Sequence, residues 1–311
     1  MKKIYLLMAT AALLSASCSN NENEWAGEDT GQRVPVAFNA SMGVQVVSRA
    51  VDQTWTTGDS IGIYMVENGG AFTQTNIKEE AENVRYVVAS ANSGAVGFND
   101  TGTVIYYPMD NSHVDFYAYY PQGTAAAWNT GTLKYEYAID VSTQTNQEAL
   151  DFMYSNNVKD KYKTEKTAAA LSFQHKLCKV VLTVQPGGGV SDLTGLTVKV
   201  KNQKTKATFS LTGNTLSIDA TDPTDITLKK QESAYVYEAI LLPETTTTRT
   251  FEFDLNNGND DPFTWDMSTA LVGGNKYAYT VKLTRTGMNV SGQIDGWGDG
   301  TSDPNGIAEM Q

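Results

Sequence analysis

Val34-Pro35-Val36-Ala37-Phe38-Asn39-Ala40-Ser41 sets how the rest of the chain is read. Val34, Val36, Phe38 and Ala40 alternate with Pro35, Ala37, Asn39 and Ser41, the two-residue period of a strand with one buried face. After Gly43 the extended pattern resumes at Val44, Val46 and Val47, and Ser48-Arg49-Ala50 ends the stretch. Thr54 to Tyr64 (TWTTGDSIGIY) then reads as a turn and a second strong strand. Two readings of Arg49 stand side by side. It is a solvated loop arginine between strands, or a processing site separating a removable strand from the body that strand completes. Local sequence leaves both open.

Upstream, residues 1–17 read as a lipoprotein signal peptide. Lys2-Lys3 is the basic n-region, Ile4 to Leu14 the apolar run, and Ser15-Ala16-Ser17 the small residues before Cys18. The apolar run is too short for a permanent membrane-spanning helix. Cleavage makes Cys18 the expected lipidated N-terminus, anchored through acyl chains worth about 0.8 kcal/mol per buried methylene. A plain secretory signal with an incidental Cys is the weaker alternative. Residues 18–33 are polar and acidic (Glu22, Glu24, Glu28, Asp29), with too little apolar surface to offset ordering entropy, and read as a flexible tether. Acidic residues just after such a Cys resemble the export signals of lipoproteins on the outer face of the outer membrane.

The 311 residues carry a formal charge of -12, which argues against a nucleic-acid partner and against attraction to anionic lipid. With Cys18 lipidated, the only other Cys, Cys178, has no intrachain partner, so packed cores must supply the stability. The pattern is nearly all β. Alternating or apolar runs occur at 61–66, 84–88, 104–107, 113–120, 133–139, 171–184, 196–200, 207–211, 216–218, 235–242, 251–255, 277–283 and 290–294, with turn residues between them. In the run 113–120, Val114, Phe116, Ala118 and Tyr120 share one face. Residues 143–166 are polar, with an apolar island at Phe152-Met153-Tyr154, and read as an inter-domain connection. The expectation is two β-sandwiches in tandem, 34–166 and 167–311.

No catalytic constellation can be assembled, so an enzyme is not expected, nor a cofactor or metal. His113 and His175 lie inside strand runs and read as packing residues; neither has metalloprotease spacing. Cys178, in an apolar run without a CxxC partner, reads as a buried inert thiol. The acidic loops Asn256 to Asp261 and Asp295 to Asp303 read as solvated turns, with calcium the minor alternative. Tyr106, Tyr107, Tyr117, Tyr119 and Tyr120 read as sheet packing rather than a sugar-stacking surface.

Several stretches, taken together and in order, resemble the fimbrillin-like lipoproteins, the subunits of protease-assembled (type V) pili. They are Ser48-Arg49-Ala50 before Trp55 to Tyr64; Ile105-Tyr106-Tyr107-Pro108 running on to Val114 to Pro121; Leu171-Ser172-Phe173-Gln174-His175-Lys176-Leu177; Leu241-Leu242-Pro243; Gly273 to Val281; and Ile294-Asp295-Gly296-Trp297. The resemblance implies two transthyretin-like β-sandwich domains, lipoprotein export to the outer membrane, and surface assembly into a fimbrium with other pilus subunits. It also implies cleavage between Arg49 and Ala50, after which another subunit's strand fills the vacated groove by β-augmentation. The tail is the expected donor: Val290, Ile294 and Trp297 offer apolar groups, and their uneven spacing requires a bulge or bend near Gly292. Adhesion to a host or bacterial surface ligand is compatible with such a subunit. The alternative is a monomeric surface lipoprotein that binds glycan or another ligand.

Overall fold

The computed structural model describes residues 31–42, 54–89, 96–123, 126–165, 167–232, 235–245, 248–258, 261–285 and 287–297. The fold lies in the compact unit that begins at Arg33. In chain order its elements start with β1 (Phe38–Met42), β2 (Ser60–Glu67), β3 (Val84–Val88), β4 (Val96–Asp100), β5 (Val114–Tyr120), β6 (Ala127–Asn129) and β7 (Lys134–Asp140). A short helix α1 (Gln147–Leu150) leads into β8 (Met153–Lys161), β9 (Ala169–His175), β10 (Cys178–Pro186), β11 (Thr197–Gln203) and β12 (Lys206–Ser210). There follow β13 (Thr215–Ile218), β14 (Thr224–Thr227), β15 (Lys229–Lys230), β16 (Val236–Leu241), β17 (Arg249–Asp254), β18 (Phe263–Met267), β19 (Asn275–Thr284) and β20 (Gly287–Gly296). The all-β expectation holds.

Seven strands close a barrel in the order β1-β4-β3-β2-β5-β8-β9. Its filling comes from alternate residues: Phe38 and Ala40 of β1, Ile61, Ile63 and Met65 of β2, Val114, Phe116 and Ala118 of β5, and Leu171 and Phe173 of β9. The face expected for 113–120 is the one that points inward, with Tyr120 among these residues. β2 shows no polar alternation because both its faces are covered. Tyr64 and Val66 point away from the barrel into a second, larger core, where Tyr64 meets Phe72 and Tyr135. A strand buried on both sides reads as a continuous apolar run.

The second core is enclosed by three further sheets, ordered β15-β16-β10-β19-β20, β14-β11-β17-β18 and β13-β12-β7-β6. β10 is central, antiparallel to β16 and parallel to β19. Val180, Leu182, Val198, Val200, Phe251, Phe253, Tyr277 and Val281 from these strands are buried together. The last of the three sheets joins distant parts of the chain, since β7 pairs with β12 from Lys206↔Asp140 to Ser210↔Glu136.

Two local expectations need correction. The run 171–184 is two strands: β9 belongs to the barrel and β10 to the five-stranded sheet. The buried residues change parity at the break, from Leu171, Phe173 and His175 to Cys178, Val180 and Leu182. The polar stretch 143–166 is more than a connection, because it supplies α1 and the barrel strand β8. Register shifts between Val114, Phe116 and Ala118 along the β5–β8 ladder space the buried residues of β8 unevenly, which hides the two-residue period. In its own sheet β20 pairs with β19 without interruption from Thr284↔Gly287 to Asn275↔Gly296, and the ladder is regular at Gly292. Trp297 reaches the core because it lies just past the strand end. The hairpin β6–β7 before residue 166 serves the second core's sheet, and β9 after it serves the barrel.

Candidate functional site

The first strand is an inserted element. β1 runs parallel to β9, from Phe38↔Ala169 to Met42↔Phe173, and antiparallel to β4 at Asn39↔Gly97 and Ala40↔Val96. Ahead of it the Val36 N–H donates to Ile105 O (2.9 Å), and the Tyr107 N–H to Val34 O (2.9 Å). Phe38 lies edge-on to Tyr86 and to Phe116, both at 5.1 Å, and Val36 and Ala40 are buried beside it. Arg33, assigned from sequence to the tether, closes this end: its guanidinium sits 4.3 Å from the Tyr106 ring and 3.2 Å from Glu79 Oε2. If β1 departs, the strands β4 and β9 lose a shared neighbour and the barrel acquires an apolar groove with two open edges. Cys18, Arg49 and Ala50 lie outside the described residues.

The last strand is the outermost strand of its sheet. Val290 is buried in the larger core, Ile294 packs against it partly exposed, and Trp297 is 4% exposed. Val290 faces Val281 and Ile294 faces Tyr277 across the β19–β20 ladder. In the single chain, therefore, Val290 and Ile294 are engaged with their own sheet, and Trp297 stacks on His175 of β9. Gly292 stands opposite Tyr279, whose ring occupies the space a Cβ would need.

The two histidines each meet an aspartate. His113, half-exposed, lies 2.6 Å from Asp160 and stacks on Tyr162 at 4.5 Å. His175 is buried: its Nδ1 lies 2.7 Å from Asp151 Oδ1, and its ring stacks on Trp297 at 4.1 Å with an interplanar angle of 10°. Neither Asp151 nor this stack carries a local sequence signal, because the partners come from distant stretches. Three of the stretches that carry the family resemblance nevertheless converge here. Phe173, Gln174, His175 and Lys176 line one cleft with Gly273, Gly274, Asn275 and Trp297.

Cys178 is buried, its thiol donates to Val272 O (3.1 Å), and burial pushes its pKa up to about 12. Of the tyrosine cluster, Tyr107, Tyr119 and Tyr120 are buried, while Tyr106 and Tyr117 are covered by the cations of Arg33 and Lys159. These five rings form no open stacking surface. Among the described residues no group of three or more His, Cys, Asp or Glu side chains is placed to hold a metal ion. The acidic loops 256–261 and 295–303 fall partly outside the described residues.

A family model described as fimbrillin-like matches residues 48–297. The protein named "Putative fimbrium subunit Fim1C" from Bacteroides uniformis is 35% identical over 314 residues, covering 96% of this chain and 97% of that protein. The crystal structure of a putative cell adhesion protein from Bacteroides uniformis superposes with a TM-score of 0.70 at 30% identity, over 86% of this chain and 99% of the other. A second such structure, from Bacteroides ovatus, shares the fold with a TM-score of 0.64 at 20% identity, over 86% of this chain and 98% of that one. The chain belongs to the fimbrillin-like family.

Proposed function

We propose that the protein is a structural subunit of a surface fimbrium, exported as a lipoprotein through Cys18 and assembled by strand exchange after cleavage between Arg49 and Ala50. The observation that carries the reading is the placement of β1 inside a barrel that the remaining six strands leave open between β4 and β9. A strand that is both terminal and central to a closed sheet offers the simplest route to polymerisation. Its removal creates an acceptor groove whose main-chain groups and alternating pockets fit one incoming strand. Membership of the fimbrillin-like family and the likeness to a fimbrium subunit support the same reading. The donor is β20 with Val290, Ile294 and Trp297, which lies at a sheet edge and has one strand neighbour to leave. Other subunits of the fibre are its partners, and the outer membrane is where the acylated precursor is held.

The test is the intact mass and N-terminal sequence of protein extracted from the cell surface. Chains held in fibres should begin at Ala50, and unassembled chains at an acylated Cys18. Fibres composed of chains that retain residues 34–49 would overturn the exchange mechanism.

A further inference from the structure

His175, Asp151 and Trp297 are the strongest feature left unassigned by that reading. β20 is held mainly by its main-chain ladder with β19 and little by side-chain burial. It is the edge strand of its sheet, it includes Gly287, Gly292 and Gly296, and its buried apolar side chain is Val290, with Ile294 only partly covered. Its far end is held differently. The Trp297 N–H donates to Gly274 O, and the indole lies flat on a His175 ring whose side chain is 1% exposed.

That imidazole is itself fixed. Its Nδ1–H donates to Asp151 Oδ1 at 2.7 Å, and Asp151 closes α1 through its own N–H to Gln147 O. Just before α1, Gln144 bonds both the N–H and the carbonyl of Ile240 in β16. The ring that receives Trp297 is thus oriented by elements of the main body.

The contact also has a cost that an ordinary core contact lacks. His175 Nε2 and Trp297 Nε1 are both buried with no hydrogen-bond partner among the described residues. Buried polar atoms in native structures are normally paired, and an unpaired one forfeits its hydration. Undocking Trp297 returns both nitrogens to water. The stack itself is geometrically tight.

We propose that His175, Asp151 and Trp297 form a latch that keeps the last strand docked in the free subunit, with His175 and Asp151 as positioning residues and Trp297 as the releasable tongue. Its use in assembly rests on the donor-strand reading above; the latch itself is a property of the single chain. The test is hydrogen exchange of backbone amides in the full chain. Trp297→Ala should accelerate exchange in the β19–β20 ladder about tenfold or more, while the amides of β2 and β5 keep their rates. Trp297→Phe, which leaves a ring on His175, should stay within about threefold of the parent. Should Trp297→Ala not fold, Asp151→Asn, which keeps the shape but removes the charge that orients His175, should accelerate the same ladder about threefold. Unchanged exchange in the ladder, or equal acceleration in barrel and ladder, would overturn the latch. Mixing the loosened variant with full chains cut after Arg49 separates the two ideas. A ladder that exchanges faster in a chain that the open barrel never captures leaves the latch standing and removes the donor strand.

Discussion

Gly62 and Gly292 each stand directly across a strand pair from a tyrosine, Tyr119 and Tyr279, whose ring fills the space of the missing side chain. In strand interiors glycine gives away stability, and its use here marks a close approach. Tyr119 also donates to Asn83 Oδ1 at 2.8 Å, so its ring cannot swing aside without losing that bond. An added methyl must displace the ring in either case. Gly62→Ala and Gly292→Ala are each expected to cost about 1–3 kcal/mol, read as a lower thermal midpoint; unchanged midpoints would contradict the packing described. Cys178 supplies a second residue-scale test. With its thiol buried and its pKa pushed up to about 12, little thiolate exists at neutral pH. The peptide carrying Cys178 should resist iodoacetamide at pH 8 in the native protein and label readily in denaturant. Rapid native labelling would show that the strand end at Cys178 opens locally.

At the scale of elements, β1 is held by more than its covalent connection. It pairs along five residues with β9, buries Phe38 and Ala40, and is preceded by buried Val36 and by the Arg33 contact with Tyr106 and Glu79. Burying a side chain such as Val or Phe is worth about 1.5–3 kcal/mol. A cut after Arg49 should therefore leave the excised strand bound until another strand displaces it. After limited trypsin treatment, a fragment ending at Arg49 should travel with the body in gel filtration, and Phe38→Ala should release it. Immediate separation of the parent fragment would mean that cleavage alone opens the groove. Strands β1 and β5 were legible because their alternation is local. The break between β9 and β10 was also present in the sequence, as the parity change after Leu177, but the unbroken apolar content of 171–184 concealed it. β8 was not legible, since register shifts place Met153, Tyr154, Ser155 and Val158 inside on no fixed period. The His175–Asp151–Trp297 contact was invisible for a different reason: only tertiary structure brings α1, β9 and the end of β20 together.

For the whole molecule, tandem sandwiches described the class of fold but not how the chain is shared. β7 pairs with β12, and β2 feeds one core with Ile61 and Ile63 and the other with Tyr64 and Val66. Such sharing depends on long-range pairing that no local pattern records. It also concentrates tyrosine where water is excluded, and this has a consequence for pH. Burial, ahead of any neighbouring charge, pushes Tyr64, Tyr119 and Tyr154 far above the ordinary phenol range, and pushes Tyr107 and Tyr237 up to about 12. In the unfolded chain a tyrosine loses its proton near pH 10. Below about pH 9 both states hold these protons, and the phenols contribute no pH dependence. Above pH 10 the unfolded state sheds protons that the native state keeps. The difference between protons bound unfolded and native is then negative, so stability falls as pH rises. Each deeply buried tyrosine should cost on the order of 1 kcal/mol by pH 11, and several act together. The expected titration shows a cooperative step in phenolate absorbance near 295 nm that coincides with the loss of the strand signal in circular dichroism. Complete ionisation centred near pH 10 with the strand signal intact would mean that these rings are open to solvent, and the doubly covered wall of β2 and β5 would have to be redrawn.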